Sequence, residues 1–148
     1  MKRCLIIGCG NEFRGDDAAG IEVVRQLERA TVGNTDVREC SGEGAALMDA
    51  WSGYDDVTIV DAALGNIAPG ELRQWEATQK ALPSEWRSAS THSFGVADAI
   101  EVGRALDVLP QRLTILAIGG KQFEAGLPLS SKVQQTVEAL VKRLTSQP

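Results

Sequence analysis

Histidine occurs once in the 148 residues, as His92, and this scarcity excludes any site that needs two imidazoles. A His-Glu-x-x-His zinc helix is therefore ruled out. Cysteine is nearly as scarce. Cys4, Cys9 and Cys40 form no metal-ligand pair spacing and leave one over in any disulfide scheme. Cys4 and Cys40 fit small strand or core positions, whereas Cys9, inside a glycine turn, stays open as a nucleophile. No cluster of Lys and Arg offsets a net charge of −5, which argues against a nucleic-acid partner and suits a cationic ligand or a basic peptide. No apolar run is long enough to span a bilayer, and the one after Met1-Lys2-Arg3 is too short for a signal segment. A cytoplasmic protein with no membrane partner is expected. Repeats, low-complexity tracts and linker-like shifts are also missing, so residues 1–148 read as one domain. A chain of this length buries roughly two-thirds of its unfolded surface.

Strand and helix patterns alternate along the chain. Aliphatic and β-branched runs predict strands at Arg3–Ile7, Thr35–Glu39, Val57–Val60 and Leu113–Ile118. Helical periodicity falls at Ala18–Ala30, Ala45–Trp51 and Phe94–Leu106. A final helix carries the stripe Val133, Val137, Leu140, Val141 and Leu144, with Ser131 and Gln134 as its expected capping box. Glu71–Glu76, after the Pro69-Gly70 turn, predicts a short edge strand open to antiparallel pairing. Ala77–Ser90 is the least regular stretch and predicts a loop beside the site. The fold class is α/β, a mostly parallel sheet covered by helices on both faces, because parallel strands need crossover connections.

Gly8-Cys9-Gly10-Asn11-Glu12-Phe13-Arg14-Gly15-Asp16-Asp17 follows the first strand. Its paired glycines suggest a dinucleotide-binding turn, but the third glycine of that fingerprint is replaced by Phe13. Asp16 and Asp17 would also set two negative charges against a pyrophosphate. No nucleotide cofactor is expected, and the turn suits a cation instead. One of the two carboxylates is needed as a helix cap, a role that falls to Asp16, which leaves Asp17 for chemistry.

Ligands collect where strand C-termini meet helix N-termini, and three polar residues fall at such points. Asp17 opens the helix after the first strand. Asp61 follows Val57-Thr58-Ile59-Val60 and also has a structural alternative, bonding an Ala62–Gly65 turn. His92 precedes a helix whose positive dipole end opposes the imidazolium and favours the metal-binding neutral ring. Two carboxylates and one imidazole suit a first-row divalent ion with positions left for water or substrate.

The ordered set Gly8-x-Gly10-Asn11, Asp16-Asp17-x-x-Gly20, Val60-Asp61-Ala62 and Thr91-His92-x-x-Gly95 resembles the hydrogenase maturation endopeptidases. Ile115-Leu116-Ala117-Ile118-Gly119, followed by Phe123, Gly126 and Leu129-Ser130, extends the similarity over nearly the whole chain. The resemblance implies a twisted, mostly parallel five-stranded sheet between helices. It also implies removal of the C-terminal extension from a nickel–iron hydrogenase large-subunit precursor, the expected partner, after nickel insertion. Asp17, Asp61 and His92 become the catalytic, metal-binding set, recognising nickel supplied by the substrate. Gly8, Gly10, Asn11 and Asp16 become the substrate-positioning element. Two departures stand out. Many members carry an acidic–proline pair where this chain has Gly119-Gly120-Lys121-Gln122, and some have glutamate at the position of Asp17.

Two alternatives remain at this level. One is a thiol hydrolase with Cys9 as nucleophile and His92 as base. The other is a non-catalytic accessory that binds nickel or a partner.

Overall fold

The first strand, β1 (Cys4–Cys9), shows how the core is divided. Leu5, Ile7 and Cys9 belong to one hydrophobic cluster and Ile6 to another, as the two-residue period of a strand between covered faces requires. In the computed structural model, which describes residues 2–30, 33–84, 86–89 and 92–146, the remaining elements follow this plan. They are α1 (Ala19–Glu28), β2 (Thr35–Cys40), α2 (Gly44–Trp51), β3 (Asp56–Gly65), β4 (Leu72–Glu76), β5 (Trp86–Ser88), α3 (Val96–Ala105), β6 (Arg112–Gly119) and α4 (Ser131–Thr145). Thr91 and Ser90, part of the motif around His92, lie outside the described residues.

The sheet order is β2-β1-β3-β6-β4, with β5 added against β3. β2, β1, β3 and β6 run parallel, and β4 is the antiparallel edge strand. Leu47, Trp51, Val96 and Ile100 of α2 and α3 cover one face, while Val23, Val24 and Leu27 of α1 and Val133, Val137 and Leu140 of α4 cover the other. Each of these larger side chains contributes roughly 1.5–3 kcal/mol when fully buried. This is the expected α/β class, with six strands in place of the five that the resemblance implied. Among the described residues no helix is long and apolar enough to cross a membrane.

The chain passes from β1 through α1 to β2 on one side, then from β2 through α2 to β3 on the other side of β1. The strand order therefore reverses between β1 and β3, and a crevice opens at their C-terminal ends. Close approach there depends on glycine. A Cβ on Gly8 would lie 2.1 Å from the Gly20 carbonyl oxygen, and one on Gly20 would lie 2.3 Å from that of Val60. Gly20, in the first turn of α1, thus provides the helix–strand contact for which the third glycine was missed at Phe13.

Several boundaries differ from expectation. β3 does not stop at Val60 but continues through Asp61 to Gly65, because its far end pairs with both β6 and β5. Ala62–Gly65 is therefore strand and not turn. β5, three residues long, arises within the stretch expected to be loop. α4 begins as predicted, but Ser130 occupies the N-cap position and makes no side-chain cap, so the Ser131–Gln134 box is replaced.

Candidate active site

Gly10 ends the β1 crossing with φ at 140°, a backbone conformation disfavoured for residues with a Cβ. A Cβ there would also fall 1.8 Å from the Asp17 carbonyl oxygen. The turn beyond it is locally closed. Asn11 Oδ1 accepts from the Phe13 amide at 2.9 Å, and the Asp17 amide donates to the Arg14 carbonyl at 3.0 Å. Gly15–Ala18 then forms a single 3-10 turn before α1, so Asp17 is delivered to the mouth of the β1–β3 crevice.

The two adjacent aspartates divide their work differently from expectation. Asp16 caps nothing in its own turn. Its fully buried carboxylate crosses to the β6–α4 connection and accepts from the amides of Lys121, Gln122 and Ser130 at 2.8, 3.0 and 2.7 Å, and from the Ser130 hydroxyl at 2.9 Å. Asp16, expected to position substrate, does not line the cleft, and its carboxylate is fully engaged with the β6–α4 connection. Gly8 likewise serves packing, whereas Gly10 and Asn11 do line the cleft. The Gly119-Gly120-Lys121-Gln122 departure has a local reason. A proline at 121 or 122 would forfeit one of the amides that Asp16 holds.

Asp17 is 2% exposed. Its Oδ2 meets the Arg14 guanidinium at 3.4 Å, while Oδ1 is buried without a hydrogen-bond partner among the described residues. Burial pushes this carboxyl above its ordinary range. The charge of Arg14, the Asn11 backbone and the charge of His92 oppose the rise. Asp61, on β3, is fully buried and repeats the pattern. The Ser88 hydroxyl donates to Oδ2, and Oδ1 has no partner within full hydrogen-bond geometry among the described residues. Burial pushes Asp61 up to about 7; the Ser88 bond lowers it, the nearby Asp17 charge adds to the rise, and the Ala62 amide lowers it. Buried acceptors are almost always paired in folded proteins, so two buried carboxylate oxygens without a hydrogen-bond partner among the described residues are an exception that a proton or a cation would satisfy.

A cleft of about 460 Å³ opens beside this pair, lined by Gly10, Asn11, Arg14, Asp17, Cys40 and His92 among others. His92 is exposed and lies upstream of Gly95, the N-cap of α3, rather than in the helix itself. Its segment is anchored by Phe94, whose carbonyl accepts from the Gly44 amide at 2.8 Å at the start of α2. Asp17 is thus electrostatically linked to both Asp61 and His92. Asp61 does not line the cleft, however, and among the described residues no three His, Cys, Asp or Glu side chains form a ready-made metal cluster. The expected set is brought to one region without being assembled into a closed site.

Cys9 is fully buried and absent from the cleft wall. Burial, then the charges of Asp61, Cys40 and Asp17, pushes its thiol well above the usual range. A thiolate is disfavoured there, and the thiol alternative loses its nucleophile. Sequence reasoning missed Ser88, hidden in a three-residue strand, and the rim bridge in which Arg25 holds Glu12 at 2.5 Å and Glu39 at 3.0 Å.

Residues 21–147 match the family model described as hydrogenase maturation protease (HycI). The chain is 29% identical over 136 residues to Protein FrxA of Pyrococcus furiosus, covering 89% of this chain and 95% of the relative. It is 23% identical over 146 residues to the hydrogenase 2 maturation protease of Escherichia coli, covering 96% and 88%. Among solved structures, the [NiFe] hydrogenase maturation protease HybD from Thermococcus kodakarensis superposes with a TM-score of 0.76 at 29% identity, covering 95% of each chain.

Proposed function

Since this chain belongs to the hydrogenase maturation protease family and is a peptidase, we propose that it removes the C-terminal extension of a nickel–iron hydrogenase large-subunit precursor once nickel is in place. The observation that carries the proposal is the pair of buried oxygens, Asp17 Oδ1 and Asp61 Oδ1, that have no hydrogen-bond partner among the described residues, with the charge of His92 acting on Asp17 and that of Asp17 on Asp61. Nickel, in this scheme, is part of the substrate. Asp17, Asp61 and His92 receive it as the precursor docks, which explains why the described side chains need not form a closed metal site beforehand.

Docking through the ion brings the precursor tail along the Gly10–Asn11 wall of the cleft. Anchoring of this kind turns cleavage into a reaction of a held and oriented segment. An ion beside a peptide carbonyl also polarises it. Arg14 and Ser88 each hold one oxygen of an aspartate and leave the other for the ligand.

His92→Ala and Asp61→Ala are each expected to abolish processing while leaving a folded protein. The check is the mass of a nickel-loaded precursor after incubation, alongside circular dichroism of the variants. A full mass shift with His92→Ala would overturn the assignment. An accessory without catalysis would leave the precursor mass unchanged even with the unmodified enzyme.

A further inference from the structure

Ser88 belongs to the three-residue strand β5, which pairs antiparallel with the far end of β3, Ala63 opposite Ser88 and Gly65 opposite Trp86. Such a short strand needs outside support, and it has three kinds. Trp86 is nearly buried in the core and packs edge-on against Trp75, with ring centroids 5.9 Å apart and planes at 75°. The Trp86 amide donates to the Pro83 carbonyl at 3.0 Å. The Ala89 amide donates to the Ala62 carbonyl at 2.9 Å, and the Ala89 side chain is buried in the opposite cluster. Ser88 is therefore fixed from both sides, and its hydroxyl meets a carboxylate on the strand it pairs with.

We propose that Ser88 is a positioning residue for the cleavage reaction: its hydroxyl fixes the Asp61 carboxylate through Oδ2 so that Oδ1 alone is left for the incoming ligand. This rests on the reading of Asp61 given above. A carboxylate without such a tether rotates about its terminal torsion, which is broad and roughly two-fold, and presents either oxygen or neither. Groups that orient a ligating side chain typically matter about 10–100-fold in affinity or activity.

The experiment compares Ser88→Ala, Ser88→Thr and Asp61→Ala with the unmodified enzyme, using nickel-loaded precursor and scoring kcat/KM beside the thermal midpoint. Ser88→Ala is expected to lose about ten- to a hundred-fold in kcat/KM while staying folded, with a midpoint lower by only about 2–8 °C for the one lost bond. Ser88→Thr, which keeps the hydroxyl, is expected to recover at least half of the activity. Normal kcat/KM in Ser88→Ala with an inactive Asp61→Ala would overturn the role of Ser88 and leave that of Asp61 standing. Equal losses in Ser88→Ala and Ser88→Thr would assign the effect to packing and also overturn it. Full activity in Asp61→Ala would instead remove the reading on which the proposal rests.

Discussion

Asp61 carries the sharpest consequence at the scale of single residues. It titrates at about 7 in the fold and near 4 in an unfolded chain. Between these values the folded state holds more protons than the unfolded one, so stability is highest at the acid end of that window. It falls as pH rises through about 7. Asp17 shifts in the same direction and adds to the slope, while Glu43 and Glu71, both lowered, act oppositely at more acid pH. Asp61→Asn removes the penalty for charging this buried site. In thermal unfolding without added metal, the wild-type midpoint should fall between pH 5 and pH 8. The variant should show a flatter profile and a midpoint higher on the order of 5 °C at pH 8. A wild-type midpoint that climbs over this range, with the variant parallel to it, would show that Asp61 charges without cost. Stability given up at a buried carboxylate with one oxygen unsatisfied is what the proposed reception of a cation at Asp61 would be expected to show.

Among elements, the β1–α1 turn and the β6–α4 connection behave as one unit. Besides the four bonds to the Asp16 carboxylate, the Asp16 amide donates to the Gln122 carbonyl at 2.7 Å. The Gly126 amide reaches the Phe13 carbonyl at 2.8 Å, and the Gly15 amide the Leu127 carbonyl at 3.1 Å. Asp16→Ala would strand several amides at once, each worth about 1–3 kcal/mol when left unsatisfied in a buried place. A fall in the midpoint of roughly 6–12 °C is expected, with faster amide exchange at Lys121, Gln122 and Ser130. A change under 2 °C would mean that water replaces the carboxylate without loss. Nothing near Asp16 in sequence could reveal this role, because its partners lie 105 to 114 residues away. A capping role was the natural expectation from local rules. The same distance hides the true function of Ser130, whose hydroxyl goes to Asp16 and not to its own helix. β5 was illegible for another reason, since three residues carry too little alternation to mark a strand. The long, periodic elements were legible: the α4 stripe and the parallel strands follow from pattern, whereas at β4 the edge strand was expected with its antiparallel direction left open.

For the whole molecule, topology does what no single motif could. Reversal of strand order between β1 and β3 brings together Asp17 and Asp61, while Phe94 ties the segment bearing His92 to the start of α2. Their types and edge positions were visible in the sequence. The burial of Asp17 and Asp61, the tethers from Arg14 and Ser88, and the absence of a closed cluster among the described residues emerge only from packing. In the proposed scheme these residues receive a metal that arrives with the substrate. The decisive measurement is therefore single-turnover processing of the same precursor with and without nickel, scored by intact mass. The loaded form should be trimmed and the nickel-free form should stay full length over the same interval. Equal trimming of both would contradict recognition through substrate-bound nickel.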